Sequence, residues 1–195
     1  SPFDPLLLKS GRTLKAGEQY GEPMSIPVRV ERHTSKIKII FSELPVSKWS
    51  PLSNKEKRDM CVTKNACVSI LSHNREIDYG WFFMGSKRRE NYDDWWRCEV
   101  SFEPELDDLF GITHTKQMVN PTKELKEILE THIEAVAHKL NYRVREKFIF
   151  LNQIKNKPEE ILISKKNDHL IEPAPERFKY DVKNLDFNSD KGNFT

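Results

Sequence analysis

Hydrophobic and polar positions change rhythm along this chain, from alternation in its first half to three- and four-residue spacing after residue 120. Ile26, Val28 and Val30 alternate with polar neighbours, as do Ile37, Ile39 and Phe41, with His33-Thr34-Ser35 between the two runs. Two period-two runs with a short polar connection predict a β-hairpin with one buried face. Further strands are predicted at 66–72 and 75–83, joined at His73-Asn74, a pair suited to a tight turn. The clearest alternation sets Trp96, Cys98, Val100 and Phe102 against Arg97, Glu99 and Ser101; Pro104 then ends the pairing because it has no N–H to donate to a ladder. Between these runs, 45–60 reads as a loop leading into a short helix at 54–60. Residues 85–94 read as a polar loop, and 105–110 as a single helical turn closed at Gly111.

The strongest helix signal follows. Asn120 suits a cap, Pro121 the first helical position, and Glu124 and Glu127 the positive end of the helix dipole. Leu125, Ile128, Leu129, Ile133, Val136, Leu140 and Val144 then form one apolar stripe. The pattern decays after Phe150. Residues 1–24, with Gly11, Gly17, Gly21 and several prolines, read as an irregular lead-in, and 155–195 as a polar arm or linker with a short strand at 161–164. The expected organisation is therefore a lead-in (1–24), one α+β domain (25–154) with a mixed or antiparallel sheet covered by one long C-terminal helix, and an arm (155–195).

Composition sharpens this picture. The 195 residues are 37% hydrophobic, with 11 Phe, 4 Trp and 5 Tyr, enough for one packed core. A net charge of +2 argues against a strong sequence-independent grip on nucleic acid, which needs a basic excess on one face. No apolar run approaches the roughly 20 residues of a membrane-spanning helix, so no membrane partner is expected. Three cysteines in a chain too large to need staples fit a reducing, cytoplasmic setting. The opening Ser-Pro-Phe-Asp-Pro reads as a stretch from within a longer protein.

Common catalytic signatures are missing: no glycine-rich phosphate loop, GxSxG, HExxH or CxxC is present. Cys61, Cys67 and His73 follow no common zinc spacing, and His132 and His138 fall on different helix faces, so no metal site is expected. Asp93-Asp94 is expected to be solvated, and Glu103, Glu105, Asp107 and Asp108 to serve capping and surface charge. Of Trp95 and Trp96, one should be core and the other is a candidate interface residue. Lys87, Arg88 and Arg89 with Trp95 or Tyr92 would suit a nucleic-acid-binding module, which is one alternative function. A plain protein-interaction domain is another. The segment that stands out runs from Phe110 to Gln117. It carries one cation, Lys116, among Thr113, Thr115 and Gln117, between an acidic turn and the long helix, where a lysine could meet a compact anion such as a phosphate.

The stretches Val68-Ser69-Ile70, Arg75-Glu76-Ile77-Asp78, Trp95-Trp96-Arg97-Cys98-Glu99-Val100 and Glu105-Leu106-Asp107-Asp108-Leu109-Phe110-Gly111-Ile112-Thr113-His114-Thr115-Lys116-Gln117 resemble bacterial ATP-binding proteins of the GHKL superfamily. That superfamily groups the DNA gyrases, the Hsp90 chaperones, histidine kinases and the MutL proteins. The resemblance covers about residues 60–125 and corresponds to the domain after the ATP-binding domain, similar in fold to ribosomal protein S5 domain 2. It implies a non-autonomous transducer domain. Lys116 would sense the γ-phosphate of ATP and Mg2+ bound in an upstream domain of the same chain, supported by Thr113, Thr115 and Gln117. Topoisomerase relatives carry Gln-Thr-Lys in this loop, whereas here the glutamine follows the lysine in Thr115-Lys116-Gln117. The resemblance further implies a homodimer of the whole protein. The nucleotide-holding asparagine and Asp-x-Gly-x-Gly elements of the superfamily are not in this sequence, so no cofactor is expected for the chain alone.

Overall fold

The computed structural model describes residues 4–8, 17–30, 33–63, 66, 68–112, 119–156 and 186–187. Two long strands, β1 (Glu18–Val30) and β2 (His33–Glu43), form the hairpin. Two short helices, α1 (Val46–Trp49) and α2 (Asn54–Asp59), follow, then β3 (Val68–Ser72), β4 (Arg75–Gly80), β5 (Trp96–Phe102) and the helix α3 (Lys123–Asn156). The two-residue β6 (Asp186–Phe187) lies parallel to β1. The sheet order is β4-β3-β5-β2-β1-β6. Pairing is antiparallel except between β3 and β5 and between β1 and β6, so the sheet is mixed and the fold α+β.

Local chemistry accounts for these elements. In the β3–β4 turn, His73 and Asn74 both have positive φ (49° and 61°), the twist a two-residue hairpin needs. Ser53 caps α2 by a reciprocal capping box with Glu56. Strand β5 has the predicted bounds, and its Trp96, Cys98, Val100 and Phe102 are buried.

One face of α3 closes the main core. Leu125, Leu129, Ile133, Val136, Ala137 and Leu140 pack with Ile26, Val28, Ile37, Ile39, Val68, Ile70, Val100 and their neighbours on one face of the sheet. Each Val, Leu or Ile side chain among them contributes about 1.5–3 kcal/mol on full burial. A second cluster of Leu44, Val46, Trp49, Val62, Trp95 and Val144 sits beyond the Glu43 end of β2. The other face of the sheet is more polar and carries Lys36, Lys38, Glu99 and Ser101. Leu6 is buried, and its carbonyl accepts a 2.5 Å hydrogen bond from Ser42 Oγ.

Several element boundaries differ from expectation: β3 begins at Val68 rather than 66, β4 ends at Gly80 rather than 83, and the expected loop from 45 includes α1. Strand β1 begins at Glu18, so the second part of the expected lead-in belongs to the sheet. The register shift between Tyr20 and Met24, with Gly21 at φ +67°, interrupts the alternation that would have marked it. Helix α3 begins at Lys123, after Asn120 and Pro121, because Asn120 and Thr122 on either side of the proline still donate to the carbonyls of Phe110 and Leu109. The helix continues to Asn156, past the decay of its stripe. The expected strand at 161–164 lies outside the described residues. No helix among the described residues is long and apolar enough to cross a membrane.

Candidate functional site

The segment 113–118, which carries Thr113, Thr115, Lys116 and Gln117, lies outside the described residues, but both of its anchors are described. On the incoming side, Phe110 stacks on Phe102 of β5 with ring centroids 3.7 Å apart and planes 7° from parallel. Leu106 and Phe110 are fully buried. Ser72 Oγ, at the end of β3, donates to Asp107 Oδ1 at 2.6 Å, so this acidic turn is fixed to two neighbouring strands. The Ile112 N–H donates to the Asp107 carbonyl at 2.9 Å and the Gly111 N–H to the Asp108 carbonyl at 3.0 Å.

On the outgoing side, the Asn120 N–H donates to the Phe110 carbonyl and the Thr122 N–H to the Leu109 carbonyl, both at 2.9 Å. The two anchors are thus bonded to each other immediately before α3 begins. Gly111 lies where they meet, at φ +64°, and a Cβ there would run into the Asn120 carbonyl. Asn120 therefore closes this base instead of capping the helix. The Lys126 N–H donates to the Thr122 carbonyl, which opens the helical ladder. A load on 113–118 would fall on the N-terminus of α3 and, through Phe110, on β5.

At the opposite end of the sheet, a buried ionic cluster joins the 81–95 region to α3. Lys87 Nζ lies 2.7 and 2.8 Å from the two carboxylate oxygens of Asp93, with side chains 1% and 0% exposed. The Trp96 indole N–H is shared between Asp93 Oδ1 (3.2 Å) and Asn141 Oδ1 of α3 (2.9 Å). The Glu90 N–H donates to Asp93 Oδ2 at 2.6 Å, and the Lys87 ammonium sits 5.0 Å from the Trp81 ring centroid. The expectation of a solvated Asp93 is therefore overturned: three donors compensate its burial. Asp94 is half-buried, and burial pushes its carboxyl up against the opposing pull of Arg89.

These contacts bear on the nucleic-acid alternative. Lys87 is sequestered with Asp93 and cannot offer its charge to a phosphate backbone. Trp95 is buried in the second cluster, edge-on to Phe148 at 5.4 Å, and so is not an exposed stacking platform. Both Trp95 and Trp96 are core. Arg97, on the other face of β5, is also buried and donates to the carbonyls of Cys61, Val62, Asp94 and Trp96. Tyr92 is half-buried beside Phe148, and Arg89 pairs with Asp94 at 3.1 Å.

The remaining groups have structural surroundings. Burial pushes the Cys98 thiol well up, which suppresses its thiolate. His73 Nδ1 lies 3.1 Å from Glu103 on the exposed turn, and Cys67 lies outside the described residues. Among the described residues, no group of three His, Cys, Asp or Glu side chains is placed to hold a metal ion. Glu43, nearly buried at the end of β2, is gripped by Arg143 Nη2 at 3.3 Å and Lys147 Nζ at 2.7 Å, both from α3. The Lys87–Asp93 and Glu43 clusters had no signal in the sequence beyond residue type, because partners 6 and about 100 positions apart leave no periodic trace. No family model, curated protein or solved structure matches the chain.

Proposed function

We propose that this chain is the transducer domain of a GHKL-type ATPase, S5 domain 2-like in fold, which works with an upstream ATP-binding domain. Lys116 meets the γ-phosphate of Mg-ATP held in that domain, with Thr113, Thr115 and Gln117 orienting it. The observation that carries this reading is the closed base of the 113–118 segment, where the Asn120 N–H meets the Phe110 carbonyl at 2.9 Å one turn before α3. A lysine on such a base acts as a lever: its attraction to the phosphate loads a rigid strand–helix frame, and hydrolysis or release removes the load. The mixed sheet under a single 34-residue helix supplies a stiff body for that load to move.

Hydrogen exchange on the whole protein tests it. A non-hydrolysable ATP analogue should slow exchange at 109–112 and at the first turns of α3, relative to ADP. Equal exchange in the two nucleotide states across these residues would overturn the reading.

A further inference from the structure

The two lateral edges of the sheet are built differently. On β4, Ile77 is an extra residue between Asp78 and Glu76, which pair with Ile70 and Leu71, and the Tyr79 N–H is taken by Asp78 Oδ1 at 2.8 Å. A bulge and a side chain on an edge amide blunt that edge against another strand. The opposite edge belongs to β1, 13 residues long. Among the described residues, only its Arg29 and Val30 are paired on the outer side, with Asp186 and Phe187 of β6. Pro27 has no N–H to give to the β2 ladder, so its backbone is turned to the outer edge. Backbone groups alternate in direction along a strand, so Arg29 presents its N–H and C=O to that same edge.

We propose that the outer edge of β1 is a strand-docking site, and that its occupant is residues 184–187 of this chain, laid parallel along residues 27–30. The pairing of Asp186 and Phe187 is the start of this strand, and its register fixes the rest. Asp186 stands beside the exposed cation Arg29, and Phe187 beside Val30, which packs against the core. Carried back two residues, the same register sets Leu185 beside the buried Val28 and Asn184 beside Pro27. Both apolar residues then fall on the core side of the sheet and both polar ones on its polar side. A slip of one residue would reverse all four. The connection is long enough. The second half of α3 passes the other end of β1, where the Arg143 guanidinium lies 5.4 Å from the Tyr20 ring centroid. Extended chain over 157–185 reaches roughly 95 Å, against about 33 Å of strand from Tyr20 to Val30. The docked strand thus brings the C-terminal arm back along the sheet. The inference is independent of any nucleotide role.

Amide exchange resolved by residue, on the full chain, tests it. In a parallel ladder in this register the Arg29 N–H meets the Leu185 carbonyl, and the Phe187 N–H meets the Arg29 carbonyl. Phe187→Pro removes that second donor. It should speed exchange of the Arg29 N–H by about 10-fold or more, whereas Asp190→Pro, beyond the docked residues, should leave it as in the wild type. The amides of Ile39 and Val100, in the interior of the sheet, should keep wild-type rates in both variants, which shows that the domain stays folded. Arg29→Asp alone and Asp186→Arg alone should each speed exchange of the Phe187 N–H by about 2–5-fold, and the double reversal Arg29→Asp/Asp186→Arg should restore it. Fast exchange of the Arg29 N–H already in the wild type overturns the proposal. So does protection that survives Phe187→Pro, protection lost equally in Asp190→Pro, or a double reversal that restores nothing.

Discussion

Lys87 and Asp93 form a fully enclosed ion pair, with the ammonium within 2.8 Å of both carboxylate oxygens and neither side chain more than 1% exposed. Through Trp96 and Asn141 this pair ties a loop, a strand and α3 into one unit. Removing one partner strands a charge in a low-dielectric interior, which costs far more than the pair contributes by existing. Lys87→Met is expected to lower unfolding free energy by about 3–5 kcal/mol in urea titrations. The double variant Lys87→Met/Asp93→Leu should recover a substantial part of that loss.

Gly111 holds the crossing of the two anchors at φ +64°, with no room for a Cβ beside the Asn120 carbonyl. Gly111→Ala is expected to cost at least about 1–2 kcal/mol from the left-handed backbone alone, read as a drop in melting temperature. Exchange should speed most at 109–112 and 119–126, since the hydrogen bonds lost are those of this base.

The same two sites show how much was legible beforehand. Strand β5 announced itself because both its faces are regular, and the α3 stripe because seven apolar residues share one side of the helix. The His73-Asn74 turn was readable from side chains that tolerate positive φ. By contrast, Glu18–Val30 was half hidden, since a bulge near Gly21 shifts the alternation. Lys87, Asp93 and Trp95 read as surface or interface residues because tertiary burial of a polar loop depends on what α3 brings over it, and no local pattern records that. The bonds that hold Asn120 back from α3 are likewise long-range facts.

Glu43 anchors the C-terminal half of α3 through Arg143 and Lys147. Glu43→Ala should destabilise the protein by about 1.5–3 kcal/mol, as loss of hydrogen bonds to charged groups does. Amide exchange should accelerate across 140–156 more than across 123–135. A uniform acceleration along the whole helix would count against this local anchoring.

Glu99, on the polar face of the sheet, is half-buried. Burial first and Asp4 next push its carboxyl up, against the pull of Lys38. A carboxyl whose folded pKa lies above its unfolded value holds its proton longer in the native state, so stability falls as pH rises through that interval. Glu99→Gln should therefore be more stable than wild type at pH 7, and the gap should close as pH drops below about 4, the ordinary carboxylate range. Melting temperatures of both proteins across that range check the sign.

The most direct measurement is steady-state ATP turnover by the whole protein with and without Lys116→Ala, at saturating Mg-ATP and matched thermal stability. The transducer reading predicts a fall of about 100-fold or more in turnover with nucleotide binding largely retained, as expected when a charge that stabilises the transferred phosphoryl group is removed. Unchanged turnover would contradict it, and 113–118 would then serve packing or partner binding rather than the γ-phosphate.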